Sequence, residues 1–233
     1  MSNVDAKLIR ELDSFQTLWE GGFGCAIFSN EDSEADNVAD ICIKPYINKK
    51  MVVLEIGCGA GRYTKRLREA KKIYCFDALS AEHNRFWERF EKNEYIVYHQ
   101  VKDFKCHELP NDSIEYIFSY DTFCHISYSG ADAYLKNLYC KLKKGANCFI
   151  MIADFVKYSC EEGKKSLARR AGFSSFEELV IDYDGEPRSG RWYFYNTQRF
   201  CKLLEKYGYI IVNRDVVSEL NIMSPIIHFR KPE

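Results

Sequence analysis

Three acidic positions and one run of glycines in this chain have the types and spacing to hold a charged ligand. The run reads Val53-Leu54-Glu55-Ile56-Gly57-Cys58-Gly59-Ala60-Gly61-Arg62. Glycines between a buried strand and a helix let a ligand approach the backbone closely, and the helix start behind them offers free N–H groups. A dinucleotide fingerprint would read G-x-G-x-x-G. Here the spacing is G-x-G-x-G, and Arg62 stands where the third dinucleotide glycine would be. Glu55 at the strand end would repel a pyrophosphate and suits a ligand with a cationic group. Asp77 follows about 20 residues beyond the loop, where an acidic residue commonly binds ribose hydroxyls. Its structural alternative is a helix cap, although Ser80 is available for that. Asp103 can accept from an adenine amino group and Phe104 can pack on the base; the alternative is a loop carboxylate.

Another group of chemically capable residues follows a fourth strand, in Ser119-Tyr120-Asp121-Thr122-Phe123-Cys124-His125-Ile126. An imidazole titrates near neutral pH, which suits His125 to act as a base. Asp121 can orient it or bind an acceptor. A single histidine after a strand is often structural. Farther on, Arg188 and Arg191 offer forks that match carboxylate or phosphate, and Trp192 and Tyr193 offer aromatic faces that suit sugar rings or cations. A solvated loop with anchoring aromatics is the plainer alternative there.

The elements that must position these residues alternate. Short apolar runs begin at Met51, Ile73, Tyr95, Ile114 and Cys148, with helical patterns through Tyr63–Ala70, Ser80–Phe90 and Ala131–Leu142 between them. Alternation of this kind indicates βαβ units and a parallel sheet covered on both faces. Before them lie a helix near Lys7–Trp19, a glycine-rich stretch including Gly21, Gly22 and Gly24, and a helix over Ser33–Ile43 capped by Asp32 or Ser33. Trp19-Glu20-Gly21-Gly22-Phe23 suits a hinged cover for a ligand, or a packed capping helix. After them come a helical stretch over Glu161–Ile181, a polar loop over Asp182–Arg191, a helix over Thr197–Lys206, and late strands over Tyr209–Val212 and Ile226–Arg230. The link between those strands is too short for a helical crossover, so an antiparallel pair is expected.

This series resembles the class I S-adenosylmethionine-dependent methyltransferases. The residues that carry the likeness are Glu55-x-Gly57-x-Gly59-x-Gly61, Asp77, Asp103, Leu109-Pro110 and Ile114-Glu115-Tyr116-Ile117-Phe118-Ser119. The resemblance implies an α/β fold with a Rossmann-like, seven-stranded, mostly parallel sheet, its last strand antiparallel, and helices on both faces. It implies S-adenosyl-L-methionine as cofactor at the C-terminal edge of the sheet. Glu55 and Gly57 to Gly61 would surround the methionine moiety, Asp77 would bind the ribose and Asp103 the adenine amino group. Cys58, Ala78, Phe104 and Ser119 would line the same site, Cys58 as a small filler.

The whole of 1–233 reads as one domain: an N-terminal helical cap (1–48), a cofactor-binding half (49–152), and an acceptor-side insert with a closing hairpin (153–233). Lys plus Arg is 33 and Asp plus Glu is 34, a net charge of -1. That balance lacks the basic excess of a nucleic-acid binder. No apolar run long enough to span a membrane occurs. The cysteines are scattered with no C-x-x-C pair, so no metal site is expected and a reduced, cytoplasmic protein is. The proline-rich motif of DNA amino-methyltransferases is missing after Ser119, as is the paired-glutamate loop of protein arginine methyltransferases. A small-molecule acceptor follows. The stretch after Ser119 and the Arg191-Trp192-Tyr193 segment look similar to bacterial enzymes that methylate sugars, which implies carbohydrate modification: O-methylation of a sugar, nucleotide-linked or phosphorylated. N-methylation of a small amine and a non-catalytic cofactor-binding subunit are the alternatives.

Overall fold

The computed structural model describes residues 9, 11–13, 32–154, 157, 162, 164–165, 174–175, 193, 195, 197–220, 222 and 224–233. Helix α1 (Ser33–Cys42) is capped by Asp32, whose side chain accepts from the Ala35 N–H at 3.1 Å. Seven strands follow: β1 (Val52–Ile56), β2 (Lys72–Asp77), β3 (Ile96–Gln100), β4 (Ile114–Ser119), β5 (Leu142–Met151), β6 (Ile210–Asn213) and β7 (Ile226–Arg230). Helix α2 (Tyr128–Tyr139) lies between β4 and β5, and α3 (Thr197–Lys206) precedes β6. The strand order is β3-β2-β1-β4-β5-β7-β6, with β7 alone antiparallel to its neighbours. This is the sheet that the alternating pattern and the short β6–β7 link require.

Alternate side chains of the central strands serve two cores, as the period-2 geometry of a strand dictates. Leu54, Ile56 and Ile117 pack with Phe123, Leu135, Leu138 and Phe200 on the α2 and α3 face. Val53, Cys75 and Phe118 pack with Val38, Cys42, Tyr63 and Phe86 on the α1 face. Because β1 and β4 are central, both of their faces are covered and their sequences are nearly all apolar. The polar exceptions at the C-terminal edge, Glu55 and Ser119, therefore stand out as ligand or junction residues.

The helices expected over Tyr63–Ala70 and Ser80–Phe90 are not regular. The first segment is a series of turns around a 3-10 helix at Thr64–Arg66, and the second surrounds a 3-10 helix at Phe86–Glu88. Tyr63, Leu67 and Ala70 are nonetheless all buried, so the apolar stripe was read correctly while the backbone differs. The cause is local. The Arg66 side chain donates to the Arg62 carbonyl at 2.7 Å, the acceptor that an α-helical Arg66 N–H would use, and that N–H turns to Tyr63 O instead. In the second segment Arg85 adopts a left-handed conformation, φ 51°, which interrupts an α-helix.

Candidate active site

The exits of β1, β2 and β4 lie side by side. Ile56 pairs with Phe76 on one side and with Ser119 on the other. The glycine loop leaves β1 by returning two N–H groups, of Gly57 and Cys58, to Phe76 O. Its three glycines have three different jobs. A Cβ on Gly57 (φ +76°) would fall 1.8 Å from Thr122 Oγ1, so this glycine admits the β4 exit. A Cβ on Gly61 (φ +90°) would fall 2.1 Å from the Phe90 ring, so this one admits the second core. A Cβ on Gly59 (φ +49°) would meet nothing within 4 Å. The open space of the loop is over Gly59.

Two carboxyl groups flank that space. Glu55 is buried and accepts from Thr64 Oγ1 at 2.5 Å. Burial pushes its carboxyl up to about 8; the Thr64 hydrogen bond opposes this and the charge of Asp77 adds to it. Asp77 accepts from Gly59 N at 2.8 Å and from Leu79 N at 2.9 Å. Enclosure by protein raises its carboxyl, against those two hydrogen bonds. Two neighbouring acids whose charged forms are disfavoured by burial are stabilised by a cation or by donors from outside. The sulfonium and ammonium of S-adenosylmethionine and its ribose hydroxyls are groups of that kind, so the residues present fit it.

The other expected residues fall into distinct places. Ser119 is fully buried and its hydroxyl donates to Ile56 O at 2.9 Å, so it ties β4 to β1. Cys58 is buried, consistent with a filler. Ala78 is partly buried and its carbonyl accepts from Gln100 Nε2 at 3.1 Å. Asp103 is partly exposed, accepts from the Lys105 N–H at 2.8 Å, and borders a groove of about 670 Å³ between the β3 exit, α2 and α3. Phe104 also borders that groove, but little of it is exposed. It is 2% exposed, with its ring edge-on to Tyr134 at 4.8 Å, and belongs to the core.

His125 ends a 3-10 helix, Phe123–His125, which begins after the short stretch 120–122 that follows β4. Thr122 Oγ1 reaches Ile56 O at 3.2 Å and Tyr120 O at 3.0 Å, which draws this turn over the glycine loop. Asp121 is exposed and left-handed, φ 51°. Tyr193 is buried beside the same turn, its N–H donating to Cys124 O at 2.6 Å. The Tyr195 hydroxyl donates to the carbonyls of Ile126 and Ser127. Glu11 accepts from the Ser127 N–H and hydroxyl, both at 2.6 Å, at the N-cap of α2. Arg188, Arg191 and Trp192, like the Trp19–Phe23 stretch, lie outside the described residues. Sequence reasoning missed Thr64, Thr122 and Glu11. Only Thr64, one turn beyond the glycines, left a local signal.

An open parallel sheet with this strand order, one antiparallel strand and a glycine loop between two acidic strand ends defines the Rossmann-like methyltransferase fold. Residues 34–213 match the family described as a methyltransferase domain, and the chain belongs to that family. It is an enzyme, a methyltransferase. Solved structures similar to it include an S-adenosylmethionine-dependent methyltransferase from Mesorhizobium loti, with 15% identity and a TM-score of 0.61 over 87% of this chain and 99% of that one. Another is the 1,6-didemethyltoxoflavin-N1-methyltransferase of Burkholderia thailandensis with bound S-adenosylhomocysteine: 12% identity, TM-score 0.62, 100% of this chain and 92% of that one. Human N-acetylserotonin methyltransferase in complex with S-adenosylmethionine matches at 13% identity and TM-score 0.58, over 98% of this chain and 57% of that one. No curated protein matches the sequence.

Proposed function

We propose that the protein methylates a hydroxyl of a small molecule, a sugar or sugar derivative, with His125 as the base. The observation that carries this is the position of His125 on the turn that Thr122 holds over the glycine loop, beside Tyr193. Bound S-adenosylmethionine supplies a methyl group already activated by its sulfonium. Alignment is therefore most of what the chain must provide. Glu55 and Asp77 bind the donor around the space at Gly59, and Asp103 accepts from its adenine amino group. A hydroxyl must lose its proton as it is methylated, and His125 accepts that proton. Arg188 and Arg191 bind a phosphate or carboxylate of the acceptor, Trp192 offers an aromatic face to a sugar ring, buried Tyr193 supports the turn through its N–H to Cys124 O, and Asp121 orients the acceptor or the imidazole.

The experiment offers the enzyme a panel of sugars, sugar phosphates and small amines and measures S-adenosylhomocysteine release. Turnover with a hydroxyl acceptor is expected. A positioned base contributes about 10²–10⁴-fold, so His125→Ala lowers turnover at least about a hundredfold and leaves the cofactor dissociation constant unchanged. Full turnover in His125→Ala, or turnover with amines alone, rejects the assignment.

A further inference from the structure

Arg62 is the residue next to the last glycine, and its side chain engages the N-terminal end of α1. Its guanidinium donates twice to Asp32, from Nε at 2.6 Å and from Nη2 at 2.8 Å, and Nη2 also reaches Glu34 at 3.1 Å. Glu34 accepts in turn from the Tyr120 hydroxyl at 2.9 Å. The guanidinium carbon lies 5.4 Å from the Tyr63 ring centre and 5.5 Å from that of Tyr120. Arg66 completes the cluster, donating to Asp36 at 2.9 and 2.6 Å, to Arg62 O at 2.7 Å and to Asp32 O at 3.3 Å. Three separate segments meet here: the N-terminal end of α1, the exit of the glycine loop, and the residue that follows β4.

The cluster matters because of what stands behind the glycine loop. A regular helix would hold such a loop through its own backbone hydrogen bonds. Here the loop runs into turns, with only the Thr64–Arg66 3-10 helix after it. The side-chain fork supplies the missing restraint. It is planar, bidentate and flanked by two aromatic rings, so it fixes direction as well as distance. It is also shielded: the Arg62 side chain is 22% exposed and that of Asp32 is 12%. The Arg62 hydrogen bonds hold the Asp32 carboxyl down to about 2, so the pair stays charged at any pH used for assay.

We propose that Arg62 is a positioning residue for the cofactor, acting through Asp32 and Glu34 to hold the glycine loop and the Tyr120 end of β4 in one fixed relation. The proposal rests on cofactor binding at the glycine loop and adds the restraint that shapes it.

The test measures the dissociation constant of S-adenosylhomocysteine by calorimetry for the wild type and for Arg62→Ala, Arg62→Lys, Asp32→Asn and the double variant Arg62→Ala/Asp32→Asn, with thermal unfolding followed in parallel. Arg62→Ala is expected to weaken binding about tenfold or more, as coupled neighbours do. Arg62→Lys recovers little, because an ammonium cannot reproduce the fork. Asp32→Asn, remote in sequence from the glycine motif, weakens binding comparably, and the double variant is no worse than Arg62→Ala alone. Where Arg62→Ala does not fold, Arg62→Lys and Asp32→Asn carry the same comparison. Folded variants that unfold at lower temperature yet bind with wild-type affinity overturn the proposal, since the cluster is then only structural. Additive losses in the double variant overturn it as well. A wild type that does not bind at all overturns cofactor binding itself and is recognisable as such.

Discussion

The glycine loop after β1 and the turn after β4 touch each other, yet they are built differently. The glycine loop is held mainly by partners no more than 30 residues away in sequence: Asp77 on Gly59, Thr64 on Glu55, Phe90 against Gly61 and Asp32 on Arg62. The β4 turn is held by Glu11 from far upstream and by Tyr193 and Tyr195 from far downstream. A site assembled locally repeats its spacing and can be recognised from sequence. A site assembled from remote segments changes whenever those segments change, which is how one cofactor scaffold serves different acceptors.

The sharpest way to break this contrast is through the glycines. Gly57→Ala and Gly61→Ala place a methyl inside Thr122 or Phe90 and also strain a left-handed backbone. Overpacking and strain together are expected to cost about 3 kcal/mol or more. Gly59→Ala meets only the strain, about 1–2 kcal/mol, but its methyl enters the open space. Thermal unfolding with and without S-adenosylhomocysteine separates the cases. Gly59→Ala lowers the midpoint least of the three and loses the ligand-induced rise. Equal loss of stability in all three would remove the division of labour among them.

Glu55 sharpens the contrast through pH. Its folded value, about 8, lies above the 4.5 of an ordinary glutamate. Between those values the folded state holds the extra proton. The stability so gained is complete below about 4.5 and is lost as pH rises through about 8. The ligand-free wild type should therefore lose stability across this window more steeply than Glu55→Gln. A ligand that brings an ammonium to Glu55 favours its charged form, so binding near pH 7 should release roughly one proton. Titrations in buffers of different ionisation heat read this directly, and Glu55→Gln should abolish it. The smallest effect concerns the β4 turn. Glu11→Ala removes the acceptor of two hydrogen bonds at the α2 N-cap and should cost about 1–2 kcal/mol, with S-adenosylhomocysteine affinity unchanged. A large fall in that affinity would show that the two regions are not separable.

The sequence carried the sheet well, because apolar runs on central strands have no other use. Residues Ile114–Ser119, Thr197–Lys206 and Ile226–Arg230 were legible to the residue. It carried the helices behind the glycine loop poorly. Tyr63, Leu67 and Ala70 have helical spacing, but no periodicity reports that Arg66 takes the Arg62 carbonyl. Glu55 and Asp77 were legible as acids at strand ends. The Tyr134 contact of Phe104 was not legible, because an aromatic beside Asp103 looks the same whether it packs on a ligand or on another side chain. Thr122 and Glu11 gave no signal, since their roles depend on chain crossings that no local pattern encodes.

The central claim is that S-adenosylmethionine binds over Gly59 between Glu55 and Asp77. Calorimetric titration of S-adenosylhomocysteine into the wild type and Asp77→Ala tests it most directly. Asp77 both faces the proposed ribose and holds the Gly59 N–H. Losing its charged hydrogen bonds, worth roughly 1.5–3 kcal/mol, should weaken binding about ten- to a hundredfold while the fold persists. Equal affinity in the two proteins, or no heat with the wild type at millimolar ligand, would contradict the account.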